Sequence, residues 1–78
     1  MLEARNIKTK GEAVVFDLFI ESNHSSIPDV IVEFFPSSKE IRTDKELDYA
    51  KKDYVEKAVR KLCSYAPEYP ESFRMVWY

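Results

Sequence analysis

At 78 residues the chain has room for one domain, residues 1–78, whose single core is marginal unless it is well packed or shared with a second molecule. A composition of 45% hydrophobic and 33% charged residues excludes a disordered chain, and a net charge of −2 argues against broad binding to nucleic acid. No apolar run approaches the eighteen or so residues that cross a bilayer.

No basic segment followed by an apolar one opens the sequence, so no secretory signal is expected and the setting is read as cytoplasmic. The lone Cys63 allows no intramolecular disulfide and no cysteine-cluster metal site. A single glycine leaves no material for a glycine-rich phosphate loop. No cofactor is expected.

Residues 2–10 alternate weakly, with Leu2, Ala4 and Ile7 the apolar positions. Arg5, Lys8 and Lys10 suit an edge strand, where charge discourages pairing with other chains. Gly11 marks a turn, so Lys8 to Glu12 reads as the closure of a hairpin. Ala13 to Glu21 is the clearest strand. Val14, Phe16, Leu18 and Ile20 alternate with Val15, Asp17, Phe19 and Glu21, and β-branched and aromatic residues dominate.

Ser22 to Pro28 is a polar connection. Asp29 to Phe35 is the next strand, with Val30, Val32 and Phe34 on one face and Ile31, Glu33 and Phe35 on the other. Pro36-Ser37-Ser38 turns the chain, and Glu40 to Arg42 is a short strand or the lead-in to a helix.

Thr43 to Ala66 reads as one long amphipathic helix. Thr43 with Glu46 has the spacing of a capping box. Leu47, Ala50, Tyr54, Ala58, Leu62 and Tyr65 recur at three- and four-residue steps, with Val55 beside them. Asp53 faces Lys57 at i,i+4 on the outer surface. Tyr49 points away from the apolar stripe. Pro67 disfavours helical geometry at Ala66 and closes the element. Ser72 to Tyr78 is then a last strand, with Phe73, Met75 and Trp77 opposite Arg74, Val76 and Tyr78.

The pattern is α+β: a two-layer domain with a mostly antiparallel sheet of three or four strands packed on one long helix, in the order β-β-β-α-β. One helix covers one face. The other carries Val15, Phe19, Ile31, Phe35, Val76 and Tyr78 among Asp17, Glu33 and Arg74. A solvated antiparallel face should be mainly polar, and monomers seldom expose large apolar patches. Val15, Asp17, Phe19, Ile31, Glu33, Phe35, Arg74 and Tyr78 are therefore the candidate protein interface, first of all with a second copy, as in the common two-fold dimers. The competing expectation is that the N-terminal segment, the 22–28 loop or the 67–71 connector folds over this face.

The groups able to do chemistry are few. His24 stands in a polar loop with no partner at ligand or general-base spacing. Cys63 lies at the border of the helix's apolar arc and reads as a buried or semi-buried structural cysteine. Asp17 and Glu33 are as well explained by pairing with Arg74 as by acid–base work.

The favoured reading is thus a non-enzymatic interaction or regulatory module, acting as a homodimer through an apolar sheet face or an unpaired edge strand. The alternative is a nucleic-acid binder using the basic hairpin or helix residues with sheet aromatics. A remoter one is a small enzyme using His24 or Cys63.

Overall fold

The computed structural model describes residues 2–20 and 26–76. The fold is α+β. Its elements are β1 (Leu2–Lys10), β2 (Ala13–Ile20), β3 (Val30–Phe35), β4 (Glu40–Thr43), α1 (Tyr49–Cys63) and β5 (Phe73–Met75). The five strands form one antiparallel sheet in the order β4-β3-β2-β1-β5. Four strands therefore precede the helix, one more than in the expected order β-β-β-α-β, and of the two readings of Glu40 to Arg42 the short strand is the one that forms. The extra strand is β4, which pairs with β3 and does not lead into the helix.

The first four strands meander, each turn set by local chemistry. Lys10 and Ala13 pair across a two-residue loop in which Gly11 alone takes positive φ (63°), the position a type II′ hairpin turn reserves for glycine. Between β3 and β4, Pro36 opens a four-residue loop, Lys39 N–H closes it on Phe35 O at 2.7 Å, and Lys39 takes φ 62°.

β1 contains a bulge. Arg5 pairs with Asp17 and Lys8 with Val15, so Asn6 and Ile7 together stand against Phe16 alone. Asn6 sits at φ 56°, a region asparagine tolerates better than most side chains. The extra residue shifts the alternation by one. Leu2 and Ala4 face the core before the bulge, and Ile7 faces it afterwards.

The helix is shorter than the sequence suggests. It runs for 15 residues from Tyr49, and its cap is Asp48, whose Oδ1 accepts from Lys51 N–H at 2.9 Å. The Thr43–Glu46 capping box does not form, because Thr43 belongs to β4 and its hydroxyl donates to Lys45 O. Asp44 is also held at the sheet: its N–H donates to Ile31 O, and its Oδ1 accepts from Ile31 N–H at 2.8 Å. At the other end Ser64 caps the helix, its N–H and hydroxyl both donating to Lys61 O. Arg60 and Lys61 complement the negative end of the dipole.

α1 lies across one face of the sheet and buries Val55, Ala58, Val59 and Leu62, an i, i+3, i+4, i+7 stripe. Opposite it lie Phe16, Leu18, Val30 and Val32, all fully buried. Val14, Ile20, Phe34 and Phe73 complete the expected covered row, with Met75 partly buried; Trp77 lies outside the described residues. Tyr65 closes this end against Phe73 with ring centroids 5.7 Å apart. Ala50 and Lys51 are exposed, and Tyr49 is 91% exposed. Cys63 is exposed, contrary to the expected burial, because Val59 and Leu62 take the inward positions of the last turns. Asp53 and Lys57 form the expected i,i+4 pair at 3.1 Å.

Candidate interaction surface

Directly opposed residues of an antiparallel pair share a face. The register therefore places Glu3 beside Phe19 and Arg74, and Arg5 beside Asp17, with Ile31 next along. Lys8, Val15, Glu33 and Arg42 form one continuous row, and Phe35 stands beside Glu40. This is the face opposite α1.

Arginines cover much of its apolar surface. The Arg5 guanidinium lies 4.4 Å from the centre of the Phe19 ring and bonds Glu3 at 2.6 Å. Arg42 stacks over Phe35 at 5.0 Å while its Nε donates to Glu40 at 2.8 Å. Such stacking contributes about 0.5–1 kcal/mol at exposed positions, and the arginine stems shield the rings from water. Phe19 is accordingly only 5% exposed, although it belongs to the face without a helix.

The predicted interface residues thus fall into distinct environments. Val15 and Phe35 are half-buried, Ile31 is 39% exposed, and Phe19 is covered. Asp17 accepts from Asn6 Nδ2 at 2.8 Å, placed there by the bulge. Asp17 and Glu33 are offset along neighbouring strands, since Asp17 opposes Ile31 and Glu33 opposes Val15. Neither pairs with Arg74, which lies on β5 and reaches Glu3 at 3.5 Å. Tyr78 and His24 lie outside the described residues.

Glu3 is the electrostatic centre of one end of the face. The hydrogen bond from Arg5 holds its carboxyl below the ordinary value, against the opposing effect of burial, and the charges of Arg5 and Arg74 add to this. At the other end Glu40 raises Arg42, by their hydrogen bond first and then by charge. Sequence reasoning placed Asp17, Glu33 and Arg74 on this face with its apolar half, and did not place Glu3, Arg5, Lys8, Glu40 and Arg42 there. A visible signal was the i,i+2 opposite charge of Glu3 with Arg5 and of Glu40 with Arg42, a spacing that puts both members on one side of a strand.

On the helix side, β4 and the first half of α1 leave a groove of about 740 Å³. Ile41, Leu47 and Val55 supply its apolar lining, and Lys45, Lys52 and Glu56 add charge. Among the described residues, no group of three or more His, Cys, Asp and Glu side chains is placed to hold a metal ion. No helix among the described residues is long and apolar enough to cross a membrane.

No family model, curated protein or solved structure matches this chain. The functional reading rests on the surface itself.

Proposed function

We propose that this chain is a protein-interaction module that acts without bond chemistry and self-associates as a homodimer through its sheet, by the face opposite α1 or by its free edge. The observation that carries the reading is the make-up of that face. Half-exposed Val15, Phe35 and Ile31 are interleaved with Glu3, Asp17, Glu33 and Glu40, matched by Arg5, Lys8, Arg42 and Arg74. Apolar groups set among balanced charges favour a protein surface of similar mixture, where arginines and aromatics anchor contacts. The same balance disfavours a phosphate backbone, which calls for an excess of positive charge.

The test is the solution mass by light scattering across a dilution series. A mass that doubles reversibly with concentration is expected. A monomer at every concentration sinks the homodimer.

A further inference from the structure

The β4 edge of the sheet carries three features that fit one occupant. We propose that a second copy of this chain pairs with β4, antiparallel, about a two-fold axis through Ile41, joining two five-stranded sheets into one. This rests on the homodimer reading above and names the part of the sheet that makes the contact.

The backbone sets where a strand can add. Asp44 N–H donates to Ile31 O at 3.1 Å, so residue 44 directs its backbone groups toward β3. Alternate residues of a strand direct these groups to the same side. Glu40 and Arg42 therefore also turn toward β3, while Ile41 and Thr43 turn their N–H and C=O outward. A strand added at this edge must bond there.

Charge then selects the register. A two-fold through Ile41 sets Glu40 opposite Arg42 of the second copy, twice, with Ile41 opposite itself. Glu40 and Arg42 already bond within one strand at 2.8 Å, and across the axis the four charges alternate in sign. A two-fold through Arg42 would instead oppose two guanidiniums, and like charges in direct opposition are destabilising. A short, charged edge deters foreign strands. An acid and a base flanking one apolar residue are nevertheless complementary to their own copy.

The apolar term agrees. Ile41 is 37% exposed on the helix side of β4, at the rim of the groove that Leu47 and Val55 line. The axis brings the two grooves together, and each Ile41 covers the other. The contact is small, so the dimer is reversible. It also sets the two charged and apolar faces side by side as one surface.

Glu40 and Arg42 are exposed, so charge reversal leaves the fold intact, which far-UV circular dichroism checks. Glu40→Arg and Arg42→Glu are each expected to be monomeric at concentrations where the wild type is dimeric. A one-to-one mixture of the two regains the dimer mass, because each altered charge meets its opposite. In a Cys63→Ser background, Ile41→Cys is expected to oxidise to a linked dimer. A hydrogen-bonded antiparallel pair brings the Cα atoms to about 5.5 Å, within disulfide reach.

Tyr49→Ser, at the exposed start of α1 and away from both sheet surfaces, leaves the mass unchanged. A wild type that never dimerises overturns this inference and the homodimer reading together. A dimer that Ile31→Glu, on the open face, dissociates and the charge variants do not overturns the edge alone. A mixture that stays monomeric while the wild type dimerises does the same.

Discussion

Asn6 and Lys39 hold φ angles of 56° and 62°, where a side chain costs roughly 1–2 kcal/mol unless it is asparagine or glycine. Each follows from a geometric need, the bulge in β1 and the closure of the β3–β4 loop. Replacing Lys39 by glycine relieves that strain but loosens the unfolded chain, so a net gain of about 0.5 kcal/mol is expected in urea unfolding. Asn6→Val should cost about 1–2 kcal/mol, since a β-branched residue resists this region and the bond to Asp17 is lost. Glu3 contributes a pH dependence of definite sign. Its carboxyl is depressed in the folded state, so its stabilisation is present above the ordinary value of 4.5 and is lost as pH falls through the lower folded value. The thermal midpoint is expected to drop on acidification through that window, and Glu3→Gln to flatten part of the drop.

At the level of elements, the helix start separates a local signature from the tertiary outcome. Asp48→Ala should cost about 1 kcal/mol, whereas Thr43→Ala should leave helix content unchanged by circular dichroism. The capping-box spacing at Thr43 was legible and misleading, because backbone and side chain of Asp44 are committed to Ile31. β2 and β3 were legible in full, since their alternation is unbroken and their apolar rows are buried. β1 was legible only in outline. The step from Leu2 and Ala4 to Ile7 changes parity, which is the trace of a bulge, and Asn6 stands where it changes. β4 gave almost no signal, with four exposed residues and no buried row. The apolar half of the open face could be listed from alternation. The arginines above it could not, because which strands flank β2 and β3 depends on pairings distant in sequence.

For the whole molecule, Phe16, Leu18 and Leu62 are fully buried between sheet and helix. Phe16→Ala or Leu18→Ala is expected to cost about 3–5 kcal/mol, comparable to the entire stability of a domain this small. Such variants should lose cooperative thermal unfolding. The order β4-β3-β2-β1-β5 bears as well on how the chain leaves the ribosome. β1 finds its hairpin partner at once, but its other side waits for β5, whose Arg74 reaches Glu3 across 71 positions of sequence. Until residues 71–75 emerge, β1 presents unpaired backbone groups to solvent or to a chaperone, and the amide of Ile7 lacks its acceptor, Glu71. Nascent chains arrested before that point should therefore engage holdases and aggregate, while chains in which residues 71–75 have emerged should not.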